Sequence, residues 1–125
     1  MKILLDTHIY LWWLENDIKL KKRADGMIKD AEVVYVSMVS TWETAIKTKL
    51  GKFKVNVPKI MDEITANGFR ELSLKNEHIL QLAHLPLHHR DPFDRILIAQ
   101  AISEPLQFLT ADRSLARYSE LVTVV

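Results

Sequence analysis

Five acidic residues draw attention by where they fall. Asp6 directly follows the apolar run Ile3-Leu4-Leu5, Glu43 follows Trp42, Asp91 and Asp94 flank Pro92-Phe93, and Asp112 comes three residues after Leu109. Each has apolar neighbours: Trp42 with Ala45-Ile46 around Glu43, Phe93 with Ile96-Leu97 around Asp94, and Phe108-Leu109 before Asp112. Carboxylates brought together in such surroundings cannot all stay ionised without a cation, because each negative charge raises the pKa of the others. Hard divalent ions with oxygen ligands relieve that repulsion. Mg2+ or Mn2+ suits a set that contains no cysteine.

Every one of these acids has a structural alternative. An Asp after a strand is often a turn former or a helix N-cap, which fits Asp6. Asp91 and Asp94 at a helix start complement the macrodipole, and Asp94 has Arg90 and Arg95 as candidate partners. Asp112, before Arg113-Ser114, also reads as an N-cap, and Glu43 as a surface residue of an amphipathic helix. Taken together these alternatives weaken, since they require acids at corresponding ends of successive elements by accident.

Those elements alternate between strand and helix. Lys2 to Leu5 reads as a buried strand, followed by a helix with Thr7 as N-cap and Ile9, Trp12 and Trp13 on one side. A charged helix is predicted over 19–30, a β-branched strand over 33–36, and a helix over 41–50 with Trp42, Ile46 and Leu50 as its apolar stripe and Gly51 as its C-cap. Pro58 opens a helix that reaches Ala66. A strand over 69–74, a helix over 76–83 and a His-rich loop over 86–92 come next. The helix opened by Pro92 is apolar around most of its circumference, from Ile96 to Ile102, so it is expected to be buried on several sides. A strand over 106–109, a short helical turn over 111–118 and a strand over 121–125 complete the pattern. Repeated strand and helix argue for an α/β fold with a mainly parallel sheet. In such sheets ligands bind beyond the carboxyl ends of the strands, where these acids fall.

Composition limits the remaining choices. The 125 residues, 48% hydrophobic and 26% charged, suit a single domain spanning 1–125 and exclude disordered or low-complexity classes. The absence of cysteine excludes a disulfide framework and a thiol nucleophile. The longest apolar run, Ile9 to Leu14, is far shorter than the ~20 residues of a membrane span. Ile3-Leu4-Leu5 is too short for a signal-peptide core, and a soluble cytoplasmic protein is expected. A net charge of +1 speaks against simple polyelectrolyte binding, yet Lys47, Lys49, Lys52, Lys54 and Lys59 fall in a stretch without acids. Those lysines serve either a solvated face or a phosphate backbone. His8, His88 and His89 are expected to contact a substrate or backbone rather than a metal, and His78 and His84 to lie on helix surfaces. Tyr10, Trp12, Trp13 and Leu14 exceed what core packing of one short helix requires and suggest a partner surface. A signalling receiver domain would need adjacent acids after the first strand, and a haloacid-type phosphatase an Asp where His8 stands.

Four blocks carry a family resemblance. Ile3-Leu4-Leu5-Asp6-Thr7-His8 resembles the opening of a PIN domain. Ser40-Thr41-Trp42-Glu43-Thr44-Ala45-Ile46-Lys47, with Lys49-Leu50-Gly51-Lys52, resembles its second motif. His88-His89-Arg90-Asp91-Pro92-Phe93-Asp94-Arg95-Ile96-Leu97-Ile98-Ala99-Gln100-Ala101 is similar to the third, and Leu109-Thr110-Ala111-Asp112 to the fourth. The resemblance spans nearly the whole chain and is greatest to the VapC-like branch, the ribonuclease toxins of bacterial and archaeal toxin–antitoxin pairs.

That resemblance implies a three-layer α/β/α sandwich around a mainly parallel sheet of about five strands. It implies that Asp6, Glu43 and Asp94 hold a metal ion, Mg2+ or Mn2+, with Asp112 as the fourth, more variable acid. Asp91 is extra to the family pattern and is a candidate ligand or outer group. Arg90, Arg95, Arg113 and Thr110 are candidate substrate-binding residues, with Thr110 also able to orient a carboxylate. The implied activity is metal-dependent endoribonuclease hydrolysis leaving a 5′-phosphate and a 3′-hydroxyl. The implied partners are an RNA substrate, a cognate antitoxin whose C-terminal segment lies in a groove near the site, and a second copy of the chain as a homodimer. The alternative is a non-catalytic PIN-like module that binds RNA or protein.

Overall fold

Short runs of β-branched, aromatic and aliphatic residues form the strands. In the computed structural model, which describes residues 1–125, these are β1 (Lys2–Leu5), β2 (Val33–Ser37), β3 (Arg70–Leu72), β4 (Gln107–Thr110) and β5 (Val122–Val124). They pair in the order β3-β2-β1-β4-β5, and every pairing is parallel. Parallel neighbours require crossovers, supplied by α1 (Thr7–Glu15), α2 (Lys22–Asp30), α3 (Met38–Lys49), α4 (Val57–Ala66), α5 (Asn76–His84) and α6 (Pro92–Ser103). A short 3-10 helix, Arg113–Tyr118, joins β4 to β5. No helix is long and apolar enough to cross a membrane.

The pleat divides the central strand between two cores. Ile3 and Leu5 face a cluster with Ile9 and Tyr10 of α1, Ile28 of α2 and Ile60 and Ile64 of α4. Leu4 faces the other side, where Ile96, Leu97, Ile98, Ala99 and Ala101 of α6 pack with Phe108 and Leu115. A sheet buried on both faces needs apolar residues at successive positions, and Ile3-Leu4-Leu5 supplies them. The result is the three-layer sandwich.

The first helix is capped at Asp6, not Thr7; Thr7 is its first residue and its hydroxyl points into the molecule. The second helix begins at Lys22 because Asp17 accepts from the Lys19 amide and holds a turn there. Ser37 caps α3 by accepting from the Val39 amide at 3.0 Å. The predicted apolar stripe of α3 is its open side: Trp42 is 56% and Leu50 64% exposed, while Val39, Ser40, Glu43 and Thr44 are buried. Beyond Val39, which joins the apolar core, that buried face is polar and is held by hydrogen bonds to Thr7 and Lys47.

His78 is fully buried, contrary to the surface position expected of it. Its Nδ1 accepts from the Lys75 amide (3.0 Å) and its Nε2 lies 2.5 Å from a Glu104 carboxylate oxygen. The Gln100 amide nitrogen lies 3.3 Å from the same Nδ1, and the Gln100 carbonyl oxygen accepts from the Ser37 hydroxyl at 2.6 Å. The network ties α5 and α6 to the β2–α3 junction. His78→Ala strands several buried partners and is expected to lower unfolding free energy by about 2–3 kcal/mol in urea. A loss below about 0.5 kcal/mol, the ordinary surface range, would contradict this account.

Candidate active site

The carboxyl end of the sheet gathers the acids because each lies just past a strand or near a helix start. The Asp6 amide donates to the Leu109 carbonyl at 2.9 Å, which holds the end of β1 beside β4. From the end of β4, the Thr110 hydroxyl donates to Asp6 Oδ2 at 2.6 Å and accepts from the Asp112 amide at 3.1 Å. Thr110 is fully buried, and both hydrogen bonds of its hydroxyl serve the two acids.

Glu43 is 2% exposed on the inner face of α3. Its Oε1 accepts from the Thr7 hydroxyl at 2.7 Å, which also lies 2.8 Å from Ser40 Oγ. Its Oε2 pairs with the Lys47 ammonium, one turn further on, at 2.5 Å. Asp91 caps α6, accepting from the Phe93 and Asp94 amides at 2.8 and 3.1 Å. That cap starts the helix with Asp94 in its first turn. Asp112 is the most open acid of the group; one oxygen takes the Ser114 amide at 2.9 Å. His89 lies between two acids, with Nδ1 3.8 Å from Asp94 Oδ2 and Nε2 3.6 Å from Asp112 Oδ2. One ligand atom from each of these three residues falls within 4.8 Å of the others.

The electrostatics record the crowding. Burial, then the charges of Asp6, Asp91, Glu43 and Asp112, push Asp94 up to about 8. Burial also raises Asp6, with Glu43 adding to it, against the Thr110 hydrogen bond and His8, which lower it. Burial alone would lower Lys47, but the hydrogen bond and charge of Glu43, with Asp91 and Asp94, outweigh it and raise the ammonium. These acids therefore compete for ionisation, and only protons or a cation can relieve them. The donor set of carboxylate oxygens with one imidazole at its rim fits a hard divalent ion.

The remaining sequence-predicted residues divide between open and engaged positions. Arg90 and Arg113 are exposed. Arg95 is half-buried; its guanidinium donates to the Leu85 carbonyl at 3.1 Å and its Nε is buried without a partner. His8 is exposed and lies edge-on to Phe53, with ring centroids 5.7 Å apart. His88 stacks obliquely against Tyr118 at 5.0 Å. Sequence reasoning offered Thr7 only as a helix cap, and did not foresee that Thr7, Ser40 and Lys47 gather around Glu43. The spacing of Lys47 four residues after Glu43 is a helical pairing signal, and Ser40, three before Glu43, shares its face. Nothing local marks Thr7, which reaches Glu43 across 36 residues of chain.

The PIN domain family model matches residues 3–121. Ribonuclease VapC22 of Mycobacterium tuberculosis (strain ATCC 25618 / H37Rv) is 27% identical over 127 residues, covering 98% of this chain and 97% of that protein. Among solved structures, a chain of VapBC2 from Rickettsia felis bound to a DNA fragment from their promoter superposes with a TM-score of 0.73 at 14% identity, covering 100% of this chain and 98% of that one. A chain of a toxin–antitoxin complex from Klebsiella pneumoniae gives 0.68 at 14% identity, covering 98% and 96%. Both structures are similar to this chain in fold.

Proposed function

The chain belongs to the PIN domain family, and from that premise we propose that it is a divalent-metal-dependent endoribonuclease, the toxin of a toxin–antitoxin pair acting in the cytoplasm. The observation that carries this reading is the convergence of Asp6, Glu43, Asp94 and Asp112 from separate elements, crowded enough to push Asp94 up to about 8. A ribonuclease relative that matches this chain over nearly its full length supports the same activity.

Asp6, Glu43, Asp94 and Asp112 would hold the ion, while Asp91 caps α6. A bound Mg2+ or Mn2+ supplies Lewis-acid polarisation of a phosphodiester oxygen and activation of water for in-line attack. Thr110 fixes Asp6, and Thr7 with Lys47 fixes Glu43, so the carboxylates are oriented before substrate arrives. Asp94, held protonated by burial and its neighbours, would have to be ionised to serve as a ligand. Exposed Arg90, Arg113, Lys49 and Lys52 are assigned to neutralising the substrate's phosphates. Arg95, tied to the Leu85 carbonyl, acts by holding the loop before α6.

Two partners complete the proposal. A cleft of about 330 Å³ between α1 and α4, lined by Leu11, Leu14 and Ile60 together with Glu15, Lys59 and Glu63, suits an amphipathic antitoxin segment. The solved neighbours described as toxin–antitoxin assemblies support such a partner. Exposed Ile79 and Leu80 on α5, with Leu87 beyond it, support a homodimer. A strict monomer at high concentration in solution would refute the dimer.

Attack by water with the 3′ oxygen as the leaving group, which takes up a proton, leaves a 5′-phosphate and a 3′-hydroxyl. RNA fragments from purified protein with Mn2+ are therefore expected to be degraded by an exonuclease that requires a 5′-phosphate. Fragments ending in a 2′,3′-cyclic phosphate would contradict the proposed chemistry, because they arise by attack of the RNA's own 2′-hydroxyl.

A further inference from the structure

Two aromatic residues directly precede two of the acids: Trp42 before Glu43 and Phe93 before Asp94. One helical residue turns the side-chain direction by about 100°, so with Glu43 pointing inward Trp42 is carried round to the side of the site. There its ring meets Phe93 in an edge-to-face pair, centroids 5.0 Å apart and planes at 78°. The pair bridges α3 and the start of α6 at the edge of the acid cluster. Trp42 remains 56% exposed, more than core packing against one ring explains. The same edge carries a second aromatic element: the Lys47 ammonium stands 5.5 Å from the centre of the Phe53 ring. Onward from Glu43 the chain has five lysines and no acid as far as Met61.

Exposed aromatics interleaved with cations are the pattern that binds single-stranded nucleic acid: the cations follow the backbone and the rings stack on bases, which have no charge for the acids to repel. A base paired within a duplex has both faces covered, whereas an unpaired base offers one to a ring. Resting on the ribonuclease reading above, we propose that Trp42 and Phe93 form a stacking platform for the nucleobase next to the cleaved phosphate. Trp42 is the residue that meets the base, and Phe93 sets its tilt. The apolar face continues along α3 through Ile46 and Leu50, so a second copy of the chain is the competing occupant.

The platform is tested by coupling a protein change to a substrate change. Cleavage kinetics are measured on a single-stranded RNA containing one cut site, and on the same RNA made abasic on either side of the cut. For the wild type, one abasic position is expected to raise KM on the order of tenfold or more. With Trp42→Ala, intact and abasic RNAs should have equal KM, while Trp42→Phe keeps the discrimination. Light scattering on all three proteins reports the oligomeric state. Wild-type cleavage that ignores the abasic positions overturns the platform and leaves the nuclease standing. Discrimination that survives Trp42→Ala also overturns it, and a lower mass in that variant would then mark the face as a contact between copies. A wild type that cuts no RNA overturns the ribonuclease reading and the platform together.

Discussion

Asp6→Asn is expected to reduce metal-dependent RNA cleavage by at least about 100-fold, since even outer-shell changes at metal sites cost about 10–100-fold. The substitution is nearly isosteric. The amide oxygen of the new side chain can still accept from the Thr110 hydroxyl, so the hydrogen bond that holds the end of β1 beside β4 survives. What is lost is a negative charge at the one acid placed at the end of the central strand. Because burial and Glu43 raise Asp6 in the cation-free protein, its removal also relieves repulsion. The variant should therefore melt at the same temperature as the wild type or higher when no divalent ion is added, and it should lose the rise in melting temperature that Mn2+ gives the wild type. Lower stability in the absence of metal would show that Asp6 acts as a structural cap, the alternative open to any Asp after a strand.

Metal binding should strengthen steeply with pH. Asp94 rises from 3.8 to about 8 on folding, so between those values the folded protein holds a proton that the unfolded chain has released. Its contribution to stability is fully present below 3.8 and is lost as pH climbs through about 8. A divalent cation needs the ionised carboxylate and must displace that proton, so each released proton makes affinity grow about tenfold per pH unit. Calorimetric titration with Mn2+ is expected to give roughly 100-fold tighter binding at pH 7.5 than at pH 5.5 for one displaced proton. Repeating it in buffers of different ionisation heat counts the protons directly. Affinity independent of pH across that range would mean that Asp94 is ionised before the cation arrives.

Much of the architecture is legible in the chain because its signals are local. Ile3-Leu4-Leu5 and Val33–Val36 are too apolar for surface strands, and the Asp-Pro step at 91–92 announces a capped helix. The acids could be chosen because each abuts the end of such an element. The side of α3 that turns inward could not be read the same way. Its hydrophobic period follows Trp42, Ile46 and Leu50, while the buried side is decided by Thr7 and Lys47 engaging Glu43. Polar burial leaves no hydrophobic signature. His78 escaped for the same reason: its partners Gln100 and Glu104 lie 22 and 26 residues away, and only the packing of α5 on α6 unites them. The proximity of His89 to Asp94 and Asp112 likewise depends on the His-rich loop docking on Tyr118, whose hydroxyl accepts from the His88 and His89 amides.

The most direct test of the metal-dependent ribonuclease is cleavage of a mixed RNA pool by the purified protein with Mg2+ or Mn2+, beside a chelated sample and Asp6→Asn. The acid cluster predicts cutting that requires both the ion and Asp6. Cutting that persists in the chelator, or at full rate in Asp6→Asn, would contradict it.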